Sequence, residues 1–519
     1  MPVQNPGVSS LFALHNLHKT ERQMGTSIER LSSGKRINHA GDDAAGGAIA
    51  DRMTSQIKGL NMSVRNASDV LSMAQVAEGA LDESSKVLQR IRELAIQSAS
   101  DLMNGEERLY LQTEANQLIS ELDRVARDTT FNEIAVLDGT FADRRFQIGS
   151  KEREAATISV GNLRTEAIGN HLVRTTAATG ATVSATAVTL GTADTFADED
   201  FTIHGLLGSK TIDVVAGTSA KDIAEAVNIQ FDQTGVSATA STNMKIQAKG
   251  TAGSATLSIG LKGKNSTVRT VSAGITLGAA VGGSDLTGLS NAINAYSAET
   301  GIVATLKSDK TTIYLTQDEG HDIALTDLDF ADTTDDSRDL QVTGMDARLF
   351  NASGDELLSG TAKTMTDTSH NSGAGKDAIV GGQIMMHGSH SFTVTTTNLN
   401  GDIFQSSPGA ATLNKVSELS LRTRSKAIDA LKVVDKALDK VHMERAKLGA
   451  VMSRMHQAID NLTNVSANTA SARSRIVDAD MAAESAELAK SQVLQQSAMA
   501  MIAQASRAQQ SILTLLQGM

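Results

Sequence analysis

The sequence predicts a multidomain α+β chain in which both ends form α-helical coiled-coil or bundle domains around a β-rich α+β outer insertion. Three observations predict it. Apolar residues recur every 3.5 residues in both terminal regions, proline is confined to Pro2, Pro6 and Pro408, and the middle turns to Thr, Ala, Gly and Ser in short alternating runs. Proline removes a helix donor and clashes with the preceding turn, so two ends without interior proline are free to form long rods.

At 519 residues the chain exceeds what one hydrophobic core supports, and two to four domains are expected. The strongest pattern lies near the C-terminus. Steps of three and four run through Leu431, Val434, Leu438, Val441, Arg445, Leu448, Met452, Met455, Ile459 and Leu462, of which all but Arg445 are apolar. A 3.5-residue period kept over more than four heptads is the coiled-coil signature, because it holds one seam toward a partner as helices supercoil. A helix over roughly 415–470 would be on the order of 80 Å long. Each well-buried knob contributes roughly 1.5–3 kcal/mol, so nine give on the order of 15 kcal/mol once a partner helix covers them.

The same stepping closes the chain through Leu494, Ala498, Met501, Ala505, Ala508, Ile512 and Leu515. It opens the chain through Leu14, Leu17, Glu21, Met24, Ile28 and Leu31, then continues through Ile57, Leu60, Val64, Ala67, Leu71 and Ala74. A stutter near Glu78 passes the seam to Leu88, Ile91 and Ala95, and a further helix carries Leu111, Ala115, Leu118, Leu122 and Val125. Matching heptads at opposite ends imply that the ends meet in space. The extreme segments carry more Ala, Ser and Gln at the seam, and isolated helices are marginal in water, so these ends are expected to be loosely ordered alone and rigid in an assembly.

Residues 176–401 lean to β-structure, with alternating runs such as Thr202–His204 and Thr311–Leu315. They also repeat. Ile223, Ala226-Val227-Asn228 and Thr234-Gly235-Val236-Ser237-Ala238-Thr239 recur 66 residues later as Leu289, Ala292-Ile293-Asn294 and Thr300-Gly301-Ile302-Val303-Ala304-Thr305. Each copy predicts a short helix, a turn at Gly and then strands. The division expected is 1–40 with 475–519 as an inner terminal-helix domain, 41–175 with 402–474 as a helical and hairpin domain, and 176–401 as the outer domain. The outer domain holds modules at about 200–262 and 266–330 and a further β region at 335–400.

A net charge of −12 with no clustered basic stripe argues against a nucleic-acid partner, since phosphate binding needs grouped Lys and Arg. With no cysteine there is neither a disulfide framework nor a thiolate metal site. The opening MPVQNPGVSS lacks the basic and apolar regions of a secretory signal. No run of about 18–20 uncharged apolar residues exists, so no membrane-spanning helix is expected.

Ser27–Arg36 (SIERLSSGKR), followed by Ile37-Asn38, Asp42-Asp43-Ala44-Ala45-Gly46 and Ala48-Ile49-Ala50-Asp51-Arg52-Met53, strongly resembles bacterial flagellin. So do Leu88–Ser100 and the C-terminal stretch Arg475–Ala482 with Glu484. The matches cover about 1–175 and 405–519 in the expected order, and the two repeats resemble the flagellin insertion motif. Departures are Gly47 in place of the usual Leu, His39-Ala40-Gly41 in place of a more typical Ser-Ala-Lys, and Glu133 where Gly is common.

The resemblance implies a self-polymerising filament subunit for swimming motility, exported unfolded through the flagellar type III channel. It implies as partners copies of the chain itself, the flagellar cap and hook-junction proteins, and a cytoplasmic export chaperone covering the C-terminal helix. It also implies recognition by the vertebrate innate receptor for flagellin at Gln89, Arg90, Leu94 and Glu114. By residue spacing alone, Arg90 and Leu94 lie four apart on one helix face and pack between subunits. Family habit further suggests O-linked glycans on outer Ser and Thr. The rival readings are a hook-filament junction protein, and an adhesin or enzyme carried on flagellin-like ends.

No catalytic, cofactor or metal site is expected. Asp42 and Asp43 read as helix caps ahead of Ala44 rather than as a metal pair. His387-Gly-Ser-His390 lacks a third ligand and reads as polar loop residues. Gly373-Ala-Gly375-Lys-Asp-Ala378 has no strand before it to make a dinucleotide site, Ser33-Gly34-Lys35 has Glu29 where a phosphate loop needs Gly, and neither HExxH nor GxSxG occurs.

Overall fold

Long helices occupy both ends of the chain, and several of their described ends are fixed by identifiable caps. The computed structural model describes residues 8–175, 182–184, 200–215, 217–331, 338–350, 356–358, 362–366, 377–396 and 409–517. Among the described residues the α-helices are α1 (Val8–Ser33), α2 (Ala44–Ala99), α3 (Gly105–Asp128), α4 (Ala220–Ile229), α5 (Phe231–Thr234), α6 (Thr287–Asn294), α7 (Ser297–Thr300), α8 (Arg424–Val477) and α9 (Met481–Gln517). Helix α1 ends at Gly34, whose φ of +69° suits glycine and whose N–H donates to the Arg30 carbonyl at 2.8 Å. Asn104 and Glu107 form a reciprocal capping box at the start of α3. Asp480 accepts from the Ala482 and Ala483 N–H groups and so starts α9.

The two aspartates before α2 divide the work that sequence assigned to both. Asp43 caps the helix, accepting from the Gly46 N–H at 2.8 Å. Asp42 instead accepts from the His39 and Asn38 N–H groups, each at 2.9 Å, and these bonds hold its carboxyl below the usual carboxylate range. It therefore fixes the preceding turn and not the helix.

Helix α8 starts about nine residues later than its heptads suggested. The segment Thr412–Lys415 pairs antiparallel with Gly169–Arg174, and a 3-10 turn follows at Val416–Glu418, so ladder bonds have claimed these residues before the helix begins. From Arg424 to Val477 it runs 54 residues, about 80 Å at 1.5 Å per residue.

The chain divides into two compact units. The first takes Met1–Val76, Ala142–Ser159 and Lys447–Met519. Within it α1 packs along α9, and the hairpin of Arg144–Gln147 with Ala155–Ile158 is tied to α2 where Asn66 donates to the Gln147 carbonyl at 2.9 Å. The early part of α2 meets the late part of α8 through Asn61 with Ser466 and Thr54 with Arg473.

The second unit takes Ala77–Phe141 and Val160–Ala446. Its β-structure includes a nine-stranded, a five-stranded and a four-stranded sheet among the described residues. The repeat is visible atom by atom. Asn228 exchanges hydrogen bonds with the Ala238 backbone at 2.9 and 2.8 Å, and Asn294 does the same with Ala304 at 2.8 and 2.7 Å. Thr234 and Thr300 each donate to the carbonyl four residues back, and Gly235 and Gly301 take φ of +74° and +72°. Each glycine turns a helix into a strand, and each asparagine clamps helix to strand.

The cores divide differently from the repeat. One strand, Val236–Lys249, gives Val236, Ala238 and Ala240 to a core with Phe201, Ile203, Val227 and Met386. Its second half gives Met244, Ile246 and Ala248 to a core with Leu257, Ile259, Leu289 and Leu315. The boundary between cores thus falls inside that strand, not near residues 262–266.

His387 lies on the strand Gln383–Gly388 and is buried, a correction to its reading as a loop residue. The Asn170 amide donates to Nδ1 at 2.8 Å, which leaves Nε2–H to donate to Thr239 Oγ1 at 3.0 Å. Burial, with Lys432, Lys436 and Arg174 nearby, pushes its pKa down to about 3. The Gly373–Lys376 part of the fingerprint lies outside the described residues, and Asp377–Val380 is a strand.

Two expectations follow from these details. The hairpin of Thr130–Phe131 with Ile134–Ala135 turns through Asn132 and Glu133 at φ of +49° and +64°. A side chain in that region costs about 1 kcal/mol, so Glu133→Gly is expected to raise unfolding stability by up to about that amount in denaturant titrations. His387, neutral when folded, contributes stability fully above its ordinary pKa near 6.5 and loses it as pH falls toward 3, because the unfolded chain takes the proton first. His387→Gln is expected to reduce the pH slope of stability by about 1 kcal/mol per pH unit between about pH 6 and 4. An unchanged slope would show that His387 ionises alike in both states.

Candidate assembly surface

The chain ends are strapped together by backbone bonds before any side chain acts. Lys35 and Asp478 form an isolated antiparallel bridge. The Arg36 N–H donates to the Val477 carbonyl at 2.6 Å, and the Ala479 N–H donates to the Gly34 carbonyl at 3.0 Å. The Arg36 guanidinium adds a bond to the Ile476 carbonyl at 2.7 Å. Beside this strap, Arg30 pairs with Glu484 at 3.0 Å with both side chains largely shielded.

Helices α1 and α9 bury few side chains and expose many large apolar ones. Among the described residues the buried side chains are Leu17, Thr20 and Ser27 on α1 and Ser491 on α9. Among the described residues the Ser491 hydroxyl and Arg30 Nε are buried without a hydrogen-bond partner, a configuration that costs stability. Leu11, Phe12, Leu14 and Ile28 on α1, and Val493, Leu494, Met499 and Met501 on α9, are exposed instead. The two helices bury Leu17 together with small and polar groups, keep Met24, Leu31, Leu488 and Ile502 half-buried, and leave a second set of bulky apolar side chains exposed. Apolar exposure on this scale marks an interaction surface.

The residues singled out for the seam fall into three groups. In the first unit, Leu17, Leu448 and Met455 are buried, and Met24, Leu31, Met452, Ile459 and Leu462 are half-buried. In the second unit, Val434, Leu438 and Val441 are buried and Leu431 is half-buried. Leu14, Ile28, Leu494 and Met501 are exposed, while the side chains of Ile512 and Leu515 lie outside the described residues. The seam reading did not include Leu11, Phe12, Val493 and Met499. Counting apolar residues around the whole helix, and not along one stripe, would have found them.

Inside the second unit, the one charged seam position has a purpose. Arg445 reaches Glu78 at 2.9 Å and Asp82 at 3.2 Å, so the polar break in α8 meets the stutter in α2. A polar group at a heptad seam fixes register. Arg92 pairs with Asp435 at 2.6 Å on the same two helices. Gln112 of α3 bonds the backbone of Leu419 and Leu421, and the Ser98 hydroxyl donates to the Leu421 carbonyl.

Arg90 pairs with Glu93 at 2.9 Å and with Glu114 of α3 at 2.8 Å, and all three, like Gln89, are exposed. Leu94 is not on that face. It is 1% exposed and belongs to the buried stripe Leu88, Ile91, Leu94, Ala95 and Ser98, whose spacing follows the 3.5-residue seam. Four residues on an ideal helix leave a rotation of about 40°, enough to carry Leu94 from the rim into the core.

Comparison with known proteins agrees with this architecture. Residues 5–142 match the bacterial flagellin N-terminal helical region, residues 431–516 match the bacterial flagellin C-terminal helical region, and residues 200–252 match the flagellin hook IN motif. The B-type flagellin of Pseudomonas aeruginosa is 36% identical over 512 residues, covering 99% of each chain. A flagellin of Salmonella muenchen is 32% identical over 548 residues, again covering 99% of each. The flagellar junction protein FlgL of Legionella pneumophila aligns at a TM-score of 0.32 and 11% identity over 82% of this chain and 100% of that one, a likeness too low to bear on the assignment. End-to-end similarity at this level, with both terminal helical regions in their order, means that the chain belongs to the bacterial flagellin family, the subunits of the extracellular flagellar filament.

Proposed function

We propose that polymerisation runs through α1 and α9. The observation that carries this reading is the set of bulky apolar side chains left exposed on both helices, Leu11, Phe12, Leu14 and Ile28 on α1 and Val493, Leu494, Met499 and Met501 on α9. Such a pair leaves apolar surface in water and gains further when copies of the chain cover Phe12, Leu14, Ile28, Leu494 and Met501. Each of these side chains contributes roughly 1.5–3 kcal/mol when fully covered. Copies joined head to tail by contacts that do not close on themselves build a helix of indefinite length. In this reading residues 1–40 and 475–519 form the inner layer, 41–175 and 402–474 the layer around it, and 176–401 the outer face.

Exposed groups on the chain also suit the remaining partners. A cytoplasmic export chaperone covering α9 would keep Leu494 and Met501 from premature contact. Cap and hook-junction proteins meet the polymer at its two ends. The exposed cluster of Gln89, Arg90 and Glu114 is the part of the receptor expectation that a binding partner could touch, with Leu94 supporting it from beneath. The role is structural and not enzymatic, as membership of this family implies.

Two measurements test the scheme. Deleting residues 495–519 is expected to abolish filaments seen by electron microscopy, and normal filaments from that truncation would refute it. Arg90→Ala is expected to weaken activation of the vertebrate receptor by about tenfold while leaving motility in place, and an unaltered response would remove Arg90 from the contact.

A further inference from the structure

We propose that α9 carries a peroxide-sensitive assembly surface, in which Met481, Met499 and Met501 are sites of methionine sulfoxide formation on the unassembled subunit and their oxidation halts incorporation. The inference rests on the reading that neighbouring copies bury α9.

The methionines are sorted by position. The chain has 18 methionines and neither cysteine nor tryptophan, so thioethers are its foremost targets for mild oxidants. Among the described residues the exposed ones are Met62 (51%), Met481 (51%), Met499 (58%) and Met501 (66%), all in the first unit. Those of the outer β-structure are buried, Met244, Met365 and Met386 among them. The oxidisable thioethers therefore lie on the helical unit that is to be covered in the filament. None lies on the β-rich part.

The chemistry is an oxygen transfer. The thioether sulfur attacks hydrogen peroxide, a sulfur–oxygen bond forms as the oxygen–oxygen bond breaks, sulfur gives up two electrons and the peroxide leaves as water. A flexible apolar side chain becomes a polar one that needs a hydrogen-bond donor when buried. Met499 and Met501 sit two residues apart, about 200° around the helix, so they point to opposite sides of α9. A neighbour approaching either side meets a sulfoxide.

The test uses the full-length chain. Monomers and preformed filaments are treated with graded hydrogen peroxide, oxidised residues are mapped by mass spectrometry, and seeded polymerisation is followed by light scattering. In monomers Met481, Met499 and Met501 are expected to oxidise before Met244 and Met386, and in filaments they are expected to be protected. Oxidised monomers should elongate seeds more slowly by about tenfold or more, and methionine sulfoxide reductases should restore the rate. The triple variant Met481→Leu, Met499→Leu, Met501→Leu should keep its own untreated rate after the same exposure. Equal oxidation of the three in filament and monomer would sink the burial of α9 itself. Protection in filaments together with undiminished elongation by oxidised monomers, or equal loss in the leucine variant, would overturn only the oxidation proposal.

Discussion

The strap between Gly34–Arg36 and Ile476–Ala479 decides where everything in the first unit can be. It joins segments more than four hundred residues apart in sequence using main-chain bonds, which do not depend on side-chain size or charge. With the strap closed, α1 and α9 leave the same point in space and are obliged to run side by side. The Arg30–Glu484 pair then sits one turn along from the junction and adds an ionic contact shielded enough to matter. Because the strap already brings the helices together, their mutual surface need not be strongly apolar. That freedom is what allows bulky side chains to face away from the pair.

A second constraint governs the helices of the other unit. Their seam is apolar through Val434, Leu438 and Val441, and apolar seams slide easily by a heptad. Arg445 prevents this by engaging two carboxylates, Glu78 and Asp82, one turn apart on α2. Arg92 with Asp435 repeats the device further along. Hydrophobic burial sets the strength of this packing, and a few charges set its alignment.

The fold class was legible because its signals are periodic. Heptads extend over many turns and average out local exceptions, and the absence of interior proline removes the main way in which such a prediction fails. The repeat was legible for a different reason: Asn228 and Asn294, with the glycines that follow, have to be those residue types for the helix-to-strand clamp to form. What escaped was whatever depends on rotation or on distant pairing. Leu94 and Arg90 differ by a small turn about the helix axis, and spacing alone cannot say which side of the rim each occupies. Heptads alone set the start of α8 too early, because the pairing of Thr412 with Leu172 that claims the preceding residues spans 240 positions. The sequence around His387 reads as a loop because nothing local announces that its strand lies between two others.

The strand Val236–Lys249 has an implication for how the outer region comes apart. One continuous run of backbone supplies side chains to two separate hydrophobic clusters. Losing the ladder at either end frays the strand and withdraws support from the other cluster, so the two melt as a single foldon and not in sequence. Pulled through a narrow channel or sheared in flow, that region has one threshold to cross, and below it both halves hold.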